Sequence, residues 1–91
     1  MGDLDGRVAL LTGAGSLVGA ATARKLVEAG AKVVMGGRNE AHGAEALAPI
    51  GDSGLFVRAD VTSDDDLDAM VDAALSQFGG VDLVVTAAAV F

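Results

Sequence analysis

The chain contains no cysteine, no tyrosine and no tryptophan, only one proline, and six basic residues among 91. Without cysteine there is no disulfide, no zinc–thiolate centre and no thiol nucleophile, and no metal site is expected. Six bases stand against 13 acids, for a formal net charge of −7. Binders of nucleic acid and of anionic membrane surfaces need a basic patch, so neither partner is expected. No apolar run reaches the ~18 residues of a membrane-spanning helix. The opening Met-Gly-Asp-Leu-Asp-Gly-Arg lacks the basic end and apolar centre of a signal peptide, so a soluble cytoplasmic protein is the expectation. With three phenylalanines as the only aromatics, the core must be built from Val, Leu, Ala and Met. A hydrophobic content of 52% argues against disorder, and the length allows one domain at most.

What is present alternates between two periodicities. Arg7 to Thr12 is a short apolar run that reads as a strand buried on both faces. From Ser16 to Ala29 the pattern turns helical, with Val18, Thr22, Ala23, Leu26 and Val27 at helical spacing and Gly30 as the C-terminal cap. Ala31 to Met35 reads as a second strand closed by Gly36-Gly37. Asn39 is a good N-cap for a helix through about Ala48, weakened by Gly43 and stopped by Pro49. Gly51 to Gly54 reads as a turn, and Leu55 to Ala59 as a third strand. Ser63 caps the next helix, with Asp66 three residues on in a capping-box-like place. Asp64, Asp65 and Asp66 occupy its first turn, where the helix dipole favours negative charge, and Leu67, Met70, Val71, Ala74 and Phe78 form one stripe. Gly79-Gly80 ends the helix, and Val81 to Val85 is a fourth strand running on into Thr86–Phe91. The order β-α-β-α-β-α-β implies a parallel sheet with right-handed crossovers. The expectation is an α/β, Rossmann-type domain over residues 1–91, half of a doubly wound fold, with strands in the order 3-2-1-4 and helices on both faces.

The stretch Thr12-Gly-Ala-Gly-Ser-Leu-Val-Gly-Ala20 joins the first strand to the first helix. A phosphate seated there would meet unpaired backbone N–H groups and the positive end of the helix dipole. Glycine suits the tight turn and the close approach of backbone to a pyrophosphate. The alternative is a plain strand-to-helix turn whose glycines bind nothing; the position after a buried strand and before a helix favours binding.

These residues resemble the short-chain dehydrogenase/reductase family, whose cofactor loop reads Thr-Gly-x-x-x-Gly-x-Gly. The chain matches at Thr12, Gly13 and Gly19 and departs at Leu17, where the family has its middle glycine. Gly15, Ser16 and Val18 complete the loop. A Leu17 side chain either crowds the cofactor or points into the core and leaves the N–H groups free; the sequence is compatible with both. Asp60-Val61, after the third strand, looks like the family's adenine-contacting pair, the Asp carboxylate accepting from the adenine amino group. Its alternative is an Asp that caps local backbone. Thr86-Ala87-Ala88-Ala89 is similar to the family's Asn-Asn-Ala-Gly motif, with only Ala88 matching directly. Ala87 and Ala88 are the cofactor candidates there.

An acidic residue at the end of the second strand would bond the ribose hydroxyls of NAD. That place holds Gly36-Gly37, followed by Arg38. A guanidinium attracts a 2′-phosphate that a carboxylate would repel, so NADP(H) is favoured over NAD(H). Arg7, Arg24, Lys25, Lys32 and Arg58 read as surface charge, and His42 as a helical surface or packing residue. The resemblance implies hydride transfer between a nicotinamide and an alcohol or carbonyl substrate, with a Ser-Tyr-Lys set moving the proton. No tyrosine is present, so no catalytic residue is assigned, and the family's catalytic elements would follow the fourth strand. Ended there, that strand would be an apolar edge, and a homo-oligomer or a second chain covering it is expected. The competing expectation is a degenerate, non-catalytic Rossmann module partnering an active subunit, favoured by Leu17, Thr86 and Ala87.

Overall fold

The computed structural model describes residues 3–12, 17–60 and 62–86; for Leu17, Val18 and Thr86 the backbone alone is described. Four parallel strands form one sheet in the order β3-β2-β1-β4. They are β1 (Val8–Thr12), β2 (Lys32–Gly37), β3 (Gly54–Arg58) and β4 (Leu83–Thr86). Between them run α1 (Leu17–Glu28), α2 (Glu40–Leu47) and α3 (Asp64–Phe78). The expected topology is the one observed. The element limits move by one or two residues, and the turn expected at Gly51–Gly54 is a 3-10 helix at Gly51–Ser53, with Gly54 already in β3.

Strand β1 explains the layering. All five of its residues are buried, because helices cover both faces of the sheet. Leu11 joins Val33, Met35, Ala23, Ala46 and Ile50 on the face covered by α1 and α2. Val8 and Leu10 join Val34, Ala59, Met70 and Ala74 on the face covered by α3. Successive strand side chains point to opposite faces, so an uninterrupted apolar run is what a two-sided core requires. Burying each Val, Leu or Met is worth about 1.5–3 kcal/mol. The stripe read in α3 packs as expected, with Leu67, Val71 and Phe78 flanking Met70 and Ala74.

The helix ends follow from identifiable residues. Gly30 has φ +102°; its N–H donates to the Val27 carbonyl at 2.9 Å and the Ala31 N–H to that of Leu26 at 3.0 Å. This is a Schellman closure of α1. Asn39 Oδ1 accepts from the His42 N–H at 3.1 Å and caps α2. The α3 cap departs from expectation. Ser63 Oγ accepts from the Asp66 N–H at 3.3 Å, but the Asp66 carboxylate does not return to Ser63. It accepts from the Asp60 N–H at 2.7 Å, because the Ser63 N–H is already given to the Asp60 carbonyl at 2.9 Å.

At the amino end of the sheet Asp82 ties β1 to β4. Its backbone N–H donates to the Val8 carbonyl at 2.8 Å, its Oδ2 accepts from the Val8 N–H at 2.9 Å, and its Oδ1 lies 3.5 Å from the Arg7 guanidinium. Arg7 is thus a surface charge with a partner. At the far side of the sheet, the outer edge of β4 pairs with no strand among the described residues. Val84 is 69% exposed there and Leu75 of α3 53% exposed.

Gly43 has a packing reason that propensity alone did not show. It is buried in α2, and a Cβ built on it would strike the Phe56 ring from Cγ to Cε1. The stem of the ring is involved, so a swing of the side chain's far end gives no relief. We therefore expect Gly43→Ala to lose about 1–3 kcal/mol through overpacking, against the ~1 kcal/mol that better helix propensity supplies. Urea unfolding of the two proteins measures the balance; a stabilised variant would contradict this packing.

Candidate cofactor site

Parallel strands place all their carboxyl ends at one edge of the sheet, and the candidate residues follow those ends. Thr12 closes β1, 7% exposed, in register with Gly36 of β2 and Thr86 of β4. Four residues later the backbone enters α1 at Leu17, and Gly19 is buried in its first turn. The loop of Gly13, Gly15 and Ser16, together with Val61, Ala87 and Ala88, lies outside the described residues, and so do the side chains of Leu17 and Val18.

Arg38 follows β2 and Asp60 follows β3. The two ends are held side by side, since Gly37 is in register with Arg58 and the Ala59 N–H donates to the Gly37 carbonyl at 2.8 Å. Arg38 is exposed and Asp60 half-buried. Gly36 is buried with its α-carbon against the Met70 thioether, so a larger residue there would displace a core side chain. The end of β2 is therefore kept bare by packing from the opposite face.

The Asp60 carboxylate is organised locally. Its Oδ1 accepts from the Thr62 N–H at 2.9 Å and from the Thr62 hydroxyl at 2.7 Å. This is an Asx-type turn, the pattern that an Asp two residues before a Thr signals in sequence. The role of Thr62 was legible from that spacing but was not read. Asp66 was placed by the helix dipole and the cap, and its reach back to Asp60 depends on the turn's path. Both readings of Asp60 thus meet in one side chain: Oδ1 caps local backbone, and Oδ2 remains to face a ligand.

Arg7, Lys25 and Lys32 lie away from this edge in contacts of their own. Arg7 pairs with Asp82, Lys25 Nζ with Glu28 at 3.7 Å, and Lys32 Nζ with Ser53 Oγ at 3.4 Å. His42 is exposed on α2. No helix among the described residues is long and apolar enough to cross a membrane.

A glycine-rich strand-to-helix junction on the central strand, beside two strand ends carrying Arg38 and Asp60, is the layout of a dinucleotide site. The sequence pattern of the short chain dehydrogenase family matches residues 7–91. The chain belongs to that family.

Within the short-chain dehydrogenases, cis-4-hydroxycyclohexanecarboxylate dehydrogenase of Sinomonas cyclohexanicum is 47% identical over 88 residues, 92% of this chain and 34% of its own. Momilactone A synthase of Oryza sativa subsp. japonica is 41% identical, over 96% of this chain and 32% of its own. Among solved structures, a 3-ketoacyl-(acyl-carrier-protein) reductase from Brucella melitensis complexed with NADH superposes with a TM-score of 0.85 at 46% identity. That match covers 90% of this chain and 34% of the reductase. A second Brucella melitensis structure, a glucose/ribitol-type short-chain dehydrogenase/reductase, gives a TM-score of 0.91 at 28% identity over 99% of this chain and 39% of its own. The chain spans about a third of the length of these relatives. The family binds a nicotinamide dinucleotide on a Rossmann fold, and the residues described here fit such a ligand.

Two Thr62 donors make the Asp60 charge easier to hold. The Thr62 hydroxyl first, then the Thr62 N–H, lower its pKa below the usual carboxylate value; the Arg38 guanidinium adds to this and desolvation opposes it. A carboxylate whose folded value is depressed stabilises the fold above its unfolded pKa, near 4, and loses that contribution as pH falls through the lower folded value. A carbon-13 NMR titration of Asp60 checks this: Thr62→Val should raise its midpoint toward the ordinary range. An unchanged midpoint would rule out the hydroxyl as the main cause.

Proposed function

We propose that this chain is the cofactor-binding portion of an NAD(P)-dependent oxidoreductase, that it takes NADP(H) in preference to NAD(H), and that the reaction served is hydride transfer between the nicotinamide and an alcohol or carbonyl substrate. The observation that carries the cofactor preference is the end of β2, where Gly36-Gly37 offers no carboxylate and exposed Arg38 follows directly. A ribose-binding carboxylate at that place would repel a 2′-phosphate, whereas a guanidinium can hold it by two parallel hydrogen bonds.

In this reading the backbone from Thr12 through Gly13, Gly15, Ser16, Leu17, Val18 and Gly19 cradles the pyrophosphate at the start of α1. Asp60 Oδ2 accepts from the adenine amino group and Val61 packs at the same ring. Ala87 and Ala88 flank the cofactor beyond β4. The bound nicotinamide supplies or accepts the hydride. These 91 residues position it and contain no tyrosine for the proton step. The opposing observation is the Brucella melitensis reductase, 46% identical, whose structure holds NADH.

Calorimetric titration of the chain with NADPH and with NADH tests the preference. A charge-assisted contact is worth about 1.5–3 kcal/mol, so NADPH should bind at least roughly tenfold tighter, and Arg38→Ala should remove most of that margin while leaving NADH affinity near its starting value. Equal affinities, or tighter NADH, would overturn the assignment of Arg38. No binding of either by a folded chain would point instead to a non-catalytic module partnering an active subunit.

A further inference from the structure

The β3–α3 turn is built from interlocking hydrogen bonds that reach one residue from both sides. The Asp60 carbonyl accepts from the Ser63 N–H at 2.9 Å. Its carboxylate Oδ1 accepts twice from Thr62, at 2.9 and 2.7 Å. Its own N–H donates to Asp66 Oδ2 at 2.7 Å, the shorter of the two printed contacts that Asp66 makes in this turn. Asp66 is itself anchored, because it sits at the third position of α3 with its N–H on Ser63 Oγ at 3.3 Å. Helix α3 is fixed to the sheet through buried Met70 and Ala74. The chain of contacts therefore runs from the core, through α3 and Asp66, to the backbone of Asp60.

We infer that Asp66 is a positioning residue for adenine selection: by holding the Asp60 N–H it fixes where the free Asp60 oxygen points. This rests on the reading of Asp60 as the adenine contact. Two carboxylates in one tight turn repel each other, and a turn needing only an N-cap has Ser63 for that purpose. The second acid has a distinct task, which is to orient the residue that meets the ligand. The chemistry selected follows from Asp60 being an ionised acceptor with no proton to give. It pairs with the 6-amino donor of adenine and opposes the 6-carbonyl acceptor of hypoxanthine.

The test compares NADPH with its hypoxanthine analogue, in which the amino group is replaced by a carbonyl. The wild-type chain should bind NADPH roughly tenfold tighter or more, the margin of a hydrogen bond to a charged group. Asp66→Ala should reduce that ratio several-fold, toward parity. Asp66→Asn keeps an oxygen acceptor for the Asp60 N–H and should restore most of it. Ser63→Ala removes the helix cap without touching Asp60 and should keep the full ratio, with far-UV circular dichroism confirming that every variant is folded. A ratio in Asp66→Ala equal to that of the wild type would overturn the positioning role while leaving the Asp60 contact intact. A ratio equally lowered in Ser63→Ala would assign the effect to general loosening of the helix start and overturn it too. A wild-type chain that does not distinguish the two dinucleotides would overturn the adenine contact itself, and the inference with it.

Discussion

The structure depends on the burial of β1 from every side. Val8 to Thr12 pairs with β2 along one edge and β4 along the other, and apolar layers cover both of its faces. With every backbone polar group of the strand committed to parallel ladders, its carboxyl end must leave the sheet through an exposed turn into α1. The neighbouring strands are parallel and in register, so their turns open at the same edge. The site is where the burial of the central strand stops.

That constraint separates what was legible from what was not. The strand order and the two-sided helix layers followed from the alternation of apolar runs with helical spacing, because a run such as Val8-Ala-Leu-Leu is intelligible only if both faces are covered. The caps at Gly30, Asn39 and Ser63 were legible because each depends on one residue and its nearest backbone. Gly43 was not, because its reason is the Phe56 ring of a strand that follows α2 in the chain. Asp82 looked like part of a strand start, and its double hold on Val8 joins residues 74 positions apart. Asp66 was assigned correctly to its helix turn and incorrectly to its partner. The difference lies in which N–H the turn leaves unpaired, and local spacing does not carry that.

The two ends of the sheet have contrasting roles. At the amino end, Asp82 and Arg7 bind β1 to β4 and leave few polar groups unsatisfied. At the carboxyl end, the charged groups are either exposed, as Arg38 is, or held by one oxygen with the other open, as Asp60 is. Electrostatics agree with this division: Arg38 assists the ionisation of Asp60 across the gap between two strand ends, so cation and carboxylate can serve opposite ends of one adenosine 2′-phosphate without neutralising each other by direct contact. Membership in the short-chain dehydrogenases gives this arrangement its ligand class; the residues at the β2 and β3 ends set the proposed choice within it.

The most direct test of this account is the pattern of backbone amide shifts in proton–nitrogen NMR spectra as NADPH is added. The account predicts that the shifts concentrate at the carboxyl edge, at Thr12, Gly19, Arg38 and Asp60, while Arg7, Lys32 and Asp82 at the amino edge stay in place. Shifts centred on the amino edge, or spread evenly over both, would contradict the placement of the site.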